Sequence, residues 1–316
     1  MQLLKEAGLP DGVINIVYGD GQEIAKHVIP NPHLSAVHFT GSTGTFQKIW
    51  KEVALNIETY RNYPRVIGET GGKDFILVHN SADIDQVAAA CVRGAYEFQG
   101  QKCSAASRLY APKSLWPKLK ERLIEMTNQV VVGDPTLPET FVGAVINERQ
   151  FRKHETTLDR ARAEGNVVVG GNTSDEKGWF VDPTILEVSD PHSKFITEEH
   201  FAPILTTFVY DDSKWDEAHG LVDSSTIYGL TGAVFAQDHI AIDQADQALR
   251  YAAGNFYIND KPTGSVVGHQ PFGGARASGT NDKACSLWSA IRFSSPRTTK
   301  VNHLPVTDFG YPHLDR

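Results

Sequence analysis

The chain has 316 residues, of which 41% are hydrophobic and 22% charged; these proportions exclude disordered and fibrous proteins and fit a globular enzyme large enough for two domains. A formal net charge of −8 and a pI of about 5.8 argue against a broad surface for nucleic acid or anionic membrane, which would need clustered Lys and Arg. This charge favours a small-molecule partner instead. Three cysteines, Cys91, Cys103 and Cys285, cannot form a disulfide framework for a chain of this size, so we expect a reducing compartment.

Helical spacing over residues 1–7 predicts that the chain opens on a helix, which Gly8 is placed to end. Strand-like runs follow at residues 13–17 and 36–39, and residues 45–57 have the pattern of a helix. A crossover helix normally covers a sheet whose earlier strands lie beside it, and a domain that opens on a helix lacks those strands. We therefore expect the chain to be N-terminally incomplete.

Strand-like and helical stretches alternate along the rest of the chain. Further strands are predicted at residues 75–79, 108–111, 167–169, 205–210, 231–236 and 255–258. Helices are predicted near residues 83–98, 115–129, 148–163, 216–223 and 240–251. The alternation is typical of parallel α/β domains, and the Gly and Pro residues clustered at 262–279 indicate a shaped loop.

A glycine-containing turn, Phe39-Thr40-Gly41-Ser42-Thr43-Gly44-Thr45, lies between a predicted strand and a predicted helix. Backbone N–H groups and the helix dipole at such a turn can receive a phosphate. Turns of this composition are also common where no ligand binds. A plain strand-to-helix turn is therefore the alternative on these residues alone.

Two residues that can carry chemistry lie in stretches of small side chains. Glu69 lies in Gly68-Glu69-Thr70-Gly71-Gly72-Lys73, where the glycines let the backbone pass close to a ligand. Cys103 follows Gly100-Gln101-Lys102, and nearby N–H groups or Lys102 would favour its thiolate. A solvated loop acid and a small buried cysteine are the alternatives.

Five motifs in a fixed order resemble the aldehyde dehydrogenase superfamily. They are FTGS at residues 39–42, ETGGK at 69–73, GQKC at 100–103, EHFAP at 199–203 and PFGG at 271–274. The resemblance extends over about residues 1–282. GQKCS at 100–104, TGSVVG at 263–268, GARASGTND at 274–282 and NFYINDK at 255–261 are similar to the pyrroline-5-carboxylate dehydrogenase branch of that superfamily.

The resemblance implies an α/β aldehyde dehydrogenase fold. Residues 1–70 would be the C-terminal part of a Rossmann-type NAD domain, residues 71–283 an α/β catalytic domain, and residues 284–316 an oligomerisation tail. A strand near residues 290–293 would reach a neighbouring subunit, so the complete protein would be a homodimer or higher homo-oligomer. The resemblance places it in the mitochondrial matrix of a eukaryote, or otherwise in the cytoplasm, and we predict no metal site and neither nucleic acid nor membrane as a partner.

The resemblance also assigns roles at the site. Cys103 would attack the aldehyde, and Glu69 would activate the water that hydrolyses the resulting thioester. Glu199 would contact the nicotinamide ribose, and Phe201 would pack near the nicotinamide ring of NAD. Ala202 stands where the family usually has glycine. The cofactor pyrophosphate would lie at Gly41, Ser42, Thr43, Gly44 and Thr45.

The substrate implied by the resemblance is L-glutamate γ-semialdehyde, which NAD-dependent oxidation converts to L-glutamate in proline degradation. Its α-carboxylate needs a compact anion site at the far end of the aldehyde pocket. Ser104, Gly264 and Ser265 would form that site, and Phe272 would line the aldehyde pocket. On the residues alone, Ser104 and Ser265 are ordinary loop serines.

Two other functions stay open at this point. The oxyanion-binding asparagine of the family, its adenosine-ribose segment and the hairpin that pairs with the tail have no counterpart in this sequence. Removal of one oxyanion donor costs about a hundredfold to a thousandfold in rate. A catalytically impaired fragment that acts in binding or assembly is therefore the first alternative, and oxidation of a different aldehyde is the second.

Overall fold

The computed structural model describes residues 1–314. Helices α1 to α10 are Gln2–Glu6, Gly21–Val28, Thr43–Leu55, Ile84–Tyr96, Trp116–Asn128, Glu148–Ala163, Lys194–Thr197, Trp215–Ser224, His239–Ala248 and Leu287–Arg292. Strands β1 to β13 are Ala36–Thr40, Arg65–Glu69, Asp74–Val78, Ala106–Pro112, Val167–Val169, Thr173–Ser174, Phe180–Val181, Thr184–Val188, Ile204–Tyr210, Tyr228–Gly229, Thr231–Phe235, Asn255–Ile258 and Ala275–Arg276. This order of strands and helices is that of an α/β protein.

A seven-stranded sheet forms the centre of the larger part of the chain, with the strand order β12-β11-β3-β4-β9-β8-β5. Neighbouring strands are parallel except at the edge, where β5 is antiparallel to β8. Every residue of the central strand β3 is buried, and its last four residues, 75–78, form a continuous apolar run. Such runs are expected where helices cover both faces of a parallel sheet.

Each face of this sheet packs against its own set of helices. Leu109 and Tyr110 are neighbours in β4, and because side chains alternate along a strand they belong to different cores. The Leu109 core includes α4 and α5, and the Tyr110 core includes α6, α8 and α9. Both residues are fully buried, so the sheet is covered on both sides.

A second sheet contains two parallel strands, β1 and β2, in which Ala36 pairs with Arg65 and Thr40 with Glu69. Helix α3 covers it with Phe46 and Val53, which join a separate small core. Gly68 is required in β2, because a Cβ atom there would lie 2.3 Å from the Phe46 ring. Glu69 therefore stands at the carboxyl end of β2, fixed by the packing of α3.

Most elements predicted from periodicity are confirmed within two or three residues. The predicted helix at 148–163 and the predicted strands at 167–169 and 255–258 agree with the observed bounds. Gly8 follows the first helix with φ +91°, the left-handed conformation expected of a residue that ends a helix. The elements not predicted from periodicity are helices α2, α7 and α10 and strands β2, β6, β7, β8, β10 and β13.

Two predicted strands are wrong. Residues 13–17 form no strand, and Val13 and Val17 are 62% and 73% exposed, because no neighbouring strand within residues 1–314 pairs with them. Residues 290–293 lie in and just after α10, where the Ala290 N–H donates to the Ser286 carbonyl. Because no strand within residues 1–314 pairs with this segment, local helical hydrogen bonds prevail there. Contact of residues 284–316 with a neighbouring subunit stays a prediction.

Within residues 1–314 no helix has the length and apolar character needed to cross a membrane. The same residues contain no group of three or more His, Cys, Asp or Glu side chains arranged to hold a metal ion.

Two glycines offer a matched test of this architecture. In Gly232→Ala the new Cβ would lie 2.1 Å from the ring of Phe75, which is fully buried and cannot move aside. We expect this overpacking to lower the free energy of unfolding by about 1–3 kcal/mol. Gly220 in α8 has no heavy atom within 4 Å of its Cβ position, so Gly220→Ala should raise stability by up to about 1 kcal/mol. Urea unfolding measures the free energy of unfolding of both variants. Equal changes in the two variants would contradict the close packing of Gly232 against Phe75.

Candidate functional site

The predicted site residues meet at a seam between the two sheets. Glu69 ends β2, and the chain then crosses in four residues to Asp74, the first residue of β3. Cys103 precedes β4, and Phe201 precedes β9, so both lie at the amino ends of strands in the seven-stranded sheet. The residues therefore come from short connections that rigid strands hold in place.

The crossing between the sheets depends on two adjacent glycines. The Gly72 N–H donates to the Glu199 carboxylate at 2.8 Å, and a Cβ on Gly71 would lie 2.5 Å from the same carboxylate. A Cβ on Gly72 would lie 2.1 Å from the carbonyl oxygen of Cys103. The Glu199 and Cys103 segments therefore pack directly against this backbone, which only glycine permits.

Glu69 is buried beside the loop that follows β12. Its carboxylate accepts a hydrogen bond from the Gly274 N–H at 2.9 Å. Burial raises the pKa of Glu69 to about 7, an effect that the Gly274 bond and Lys283 oppose and Asp282 reinforces. A carboxyl group that titrates near neutral pH is suited to accept a proton during a reaction.

Cys103 is half-buried, and its surroundings disfavour a thiolate. Burial, followed by the charges of Asp74, Glu69 and Glu199, raises the pKa of Cys103 to about 12. The predicted support from Lys102 is wrong, because its ammonium pairs with Glu97 at 2.9 Å instead.

A left-handed turn places the cysteine. Phe98, Gln99 and Gly100 have φ of 54°, 58° and 63°, which turns the chain sharply after α4. A Cβ on Gly100 would lie 2.3 Å from the Ala202 carbonyl oxygen, so this turn packs against the loop that carries Phe201. Positive φ costs roughly 1–2 kcal/mol per non-glycine residue, and tertiary packing must hold such a turn.

The loop before β9 accommodates alanine in place of glycine. Phe201 has φ of 59°, whereas Ala202 is not among the residues with positive φ in the described part of the chain. Ala202 is buried, so its methyl group is packed without backbone strain. Phe201 is 36% exposed and free to contact a ligand, while Glu199 is held by Gly72.

Two buried ionisable residues, Lys73 and Asp74, directly follow the turn at Gly71 and Gly72. Burial lowers the pKa of Lys73 to about 7 and raises that of Asp74 to about 8. Within residues 1–314 neither the Lys73 amine nor Asp74 Oδ2 has a hydrogen-bond partner. Arg108 donates to the Lys73 carbonyl at 2.6 Å and to Ser225 Oγ at 2.6 Å, which ties the turn to α8.

The predicted phosphate turn forms the start of α3. Ser42 caps the helix, with its Oγ accepting from the Thr45 N–H at 3.2 Å, and Thr43 donates to the Ala277 carbonyl at 3.3 Å. Gly41, Ser42, Gly44 and Thr45 are exposed. The first turn contains no acidic side chain, so the positive end of the helix dipole is not locally neutralised.

The predicted anchor residues are brought only partly together. Ser104 is buried, and its Oγ donates to Thr263 Oγ1 at 3.1 Å, next to Gly264 in the chain. Ser265 is exposed, and its Oγ donates to the Gln270 carbonyl at 3.2 Å. Phe272 is half-buried and exchanges backbone hydrogen bonds with Ala284.

Sequence reasoning did not identify several residues that hold these loops. Asn255 donates to the Pro271 carbonyl at 3.0 Å, and its Oδ1 accepts from the Gly273 N–H at 3.2 Å. Lys261 donates to the Thr263 carbonyl at 3.0 Å. These contacts join residues that are up to 18 positions apart and follow no motif spacing. Asn255 and Lys261 lie within the motif NFYINDK at 255–261, so that motif was the available signal, although no role was assigned to either residue.

The raised pKa of Glu69 makes stability depend on pH. Below pH 4.5 the carboxyl group is neutral in both states, and its stabilising contribution is fully present; as pH rises towards 7, ionisation of the unfolded chain removes it. We expect the wild type to lose up to about 3 kcal/mol relative to Glu69→Gln across this window. Urea unfolding between pH 4.5 and 7 measures this difference in the free energy of unfolding. Glu121→Gln, at an exposed position, is the control. Parallel curves for wild type and Glu69→Gln would contradict the assignment.

Comparison with known proteins agrees with this arrangement. The model of the aldehyde dehydrogenase family matches residues 1–298. The delta-1-pyrroline-5-carboxylate dehydrogenase, mitochondrial, of Danio rerio is 46% identical over 99% of this chain, and that of Homo sapiens is 47% identical over 99%. The chain spans 57% and 56% of the lengths of these two relatives.

Solved structures show the same relationship. The Delta-pyrroline-5-carboxylate dehydrogenase from Mycobacterium tuberculosis bound with NAD superposes with a TM-score of 0.92 at 45% identity, over 99% of this chain and 58% of that one. The 1-pyrroline-5-carboxylate dehydrogenase from Thermus with bound NAD gives 0.85 at 35% identity, over 92% and 55%. The family match extends over most of the sequence and the fold agrees throughout it, so the chain belongs to the aldehyde dehydrogenase family.

Proposed function

We propose that the protein to which this sequence belongs oxidises L-glutamate γ-semialdehyde to L-glutamate with NAD, as a step of proline degradation. The observation that carries the proposal is the convergence of the Glu69, Cys103 and Glu199 segments on the backbone of Gly71 and Gly72. The names of the relatives at 46% and 47% identity support the substrate. A mitochondrial matrix location in a eukaryote, or a cytoplasmic one otherwise, is part of the same proposal.

Cys103 is the nucleophile in this proposal. Its sulfur forms a bond to the aldehyde carbon while the thiol proton passes to the carbonyl oxygen, which gives a thiohemiacetal. Loss of a hydride from that carbon and of the hydroxyl proton to solvent then leaves a thioester. Bound NAD supplies the hydride acceptor and, in its oxidised form, a cationic ring. Positive charge near Cys103 would lower its pKa, which burial and then the charges of Asp74, Glu69 and Glu199 raise in the free protein.

Glu69 completes the cycle. It accepts a proton from the water that attacks the thioester carbon, and it returns that proton to the sulfur as the carbon–sulfur bond breaks. The Cys103 thiol is restored, and the carboxylic acid released loses its own proton to solvent to give the carboxylate product. A pKa of about 7 leaves a substantial fraction of Glu69 ionised at neutral pH and able to take that proton. The hydrogen bond from Gly274 fixes the carboxylate for this step.

The residues present fit NAD. The N-terminus of α3, with exposed Gly44 and Thr45 and no acid in its first turn, suits the negative pyrophosphate. Glu199 is oriented by Gly72 to hold a ribose hydroxyl, and the partly exposed ring of Phe201 suits contact with the nicotinamide. The two NAD-bound structures with the same fold support this assignment.

The substrate anchor is proposed at Ser104, Gly264 and Ser265. The hydrogen bond from Ser104 to Thr263 joins the cysteine loop to the anchor loop, so the aldehyde and carboxylate ends of a short substrate would be held at a fixed separation. Phe272 lines the aldehyde pocket in this proposal. A different aldehyde, without an α-carboxylate, would make no use of this second contact.

The activity is tested by NADH formation at neutral pH with pyrroline-5-carboxylate as the source of the semialdehyde. We expect Cys103→Ala to abolish the activity, because no sulfur remains to attack the aldehyde, and Cys285→Ala, an exposed cysteine, to retain it. If the wild-type chain is silent, a separate polypeptide covering the remaining length of the relatives is added. Silence that persists after this addition supports the binding or assembly alternative and contradicts the proposal.

The substrate class is tested at the anchor. Ser265→Leu removes a hydroxyl and adds apolar bulk where a carboxylate would bind, so we expect the KM for semialdehyde to rise by about tenfold or more. The KM for a simple aliphatic aldehyde should change little. Steady-state kinetics of wild type and Ser265→Leu measure the KM for each substrate. An equal loss for both would reject Ser265 as an anchor.

A further inference from the structure

Lys283 lies behind the loop that holds Glu69. Its ammonium donates to the carbonyl oxygens of Gly254 and Gly273, the latter at 3.2 Å, and approaches Asn255 Oδ1 at 3.3 Å. The residue has φ of 51°, so the backbone turns to direct this side chain into the loop. None of the roles assigned above uses Lys283.

The contact with Gly273 is made on one particular peptide unit. The Gly273 carbonyl that accepts from Lys283 and the Gly274 N–H that donates to Glu69 at 2.9 Å belong to the same peptide bond. A cation at the carbonyl oxygen withdraws electron density and makes the N–H of that peptide a stronger donor, because linked hydrogen bonds polarise one another. The ammonium therefore acts on the carboxylate through a single peptide group.

Packing fixes the orientation of that peptide. Asn255 accepts from the Gly273 N–H and donates to the Pro271 carbonyl, which clamps the loop on both sides of Phe272. A Cβ on Gly254 would lie 1.9 Å from the Gly273 carbonyl oxygen, so the two backbones are in direct contact. The peptide cannot rotate away without breaking several contacts.

We propose that Lys283 is a positioning residue for Glu69, which holds and polarises the Gly273–Gly274 peptide so that its N–H stabilises the ionised carboxylate. The inference rests on the proposed function only for its effect on catalysis. Its electrostatic part concerns Glu69 in the protein as it stands.

The charges around Glu69 are consistent with stabilisation of its ionised form by Lys283. Lys283 lowers the pKa of Glu69, whereas burial and Asp282 raise it. Asp282 is paired with Arg292 at 3.1 Å and accepts a hydrogen bond from Thr280, which moderates its effect. Cys103, which also interacts with Glu69, is neutral at physiological pH because its own pKa is raised to about 12.

The first test follows the titration of Glu69 by NMR in the whole chain labelled with ¹³C at the glutamate carboxyl carbon, with Glu69→Gln to assign the signal. Lys283→Met keeps the side-chain length and removes the charge, so the midpoint should shift upward from about 7. Lys283→Arg keeps the charge and should restore most of the wild-type midpoint. An unchanged midpoint in a folded Lys283→Met variant would overturn the proposal.

A measurement on the wild-type chain does not depend on a variant that folds. The ¹³Cε and ¹⁵Nζ signals of Lys283 and the amide signal of Gly274 should each show an inflection at the midpoint of Glu69. A Lys283 signal without that inflection would overturn the proposal even if every substitution at this position unfolds the chain.

The second test measures hydrolysis of an acylated Cys103. p-Nitrophenyl acetate acylates a reactive cysteine without NAD, and mass spectrometry follows loss of the acetyl group from Cys103 across pH. Lys283→Met should slow this loss roughly threefold to tenfold at pH 7 and move the pH profile upward, while Lys283→Arg restores it. Failure of the wild type to be acylated or deacylated would count against the proposed function, and the titration of Glu69 would still decide the role of Lys283.

Discussion

The site depends on a close backbone approach at Gly71 and Gly72. The carbonyl of Cys103 and the carboxylate of Glu199 occupy the space that Cβ atoms would take on these two residues. A side chain at either position would push the Cys103 backbone and the Glu199 carboxylate away from Glu69. Glu69 is tied to the same turn through β2, so one stretch of glycine backbone sets the relative positions of three chemical groups.

Burial is the second constraint, and it acts on charges of both signs. Glu69 and Asp74 have pKa values raised to about 7 and 8, and Lys73 has one lowered to about 7, each mainly because charge is costly away from water. Burial of these groups lowers the free energy of unfolding at neutral pH, because they ionise more readily in the unfolded chain than in the folded one. Groups that change charge near pH 7 are what acid–base chemistry requires, and Glu69 is the one to which we assign such a role.

The sequence was most informative where a pattern is local. The strands at Asp74–Val78 and Asn255–Ile258 are short apolar runs with turn residues nearby, and their bounds were predicted within one residue. Residues 13–17 and 290–293 carry strand-like side chains, but a strand also needs a neighbour, which periodicity does not reveal. The motifs located Glu69 and Cys103. Local pattern did not reveal Arg108, because its partners Lys73 and Ser225 lie 35 and 117 positions away.

The candidate site lies between two sheets, so some of its residues follow strands and others precede them. Ligands of open parallel sheets bind at the carboxyl ends of strands, and the predicted phosphate turn after β1 follows that rule. Cys103 and Phe201 instead lie at the amino ends of β4 and β9, because the larger sheet presents that edge to the smaller one. The proposed reaction of Cys103 with a nucleotide as hydride acceptor would require a fixed placement of the two sheets relative to each other. The crossing from Glu69 to Asp74 links the sheets through only four residues. The polar clamp formed by Lys283 and Asn255 fixes the opposite side of Glu69.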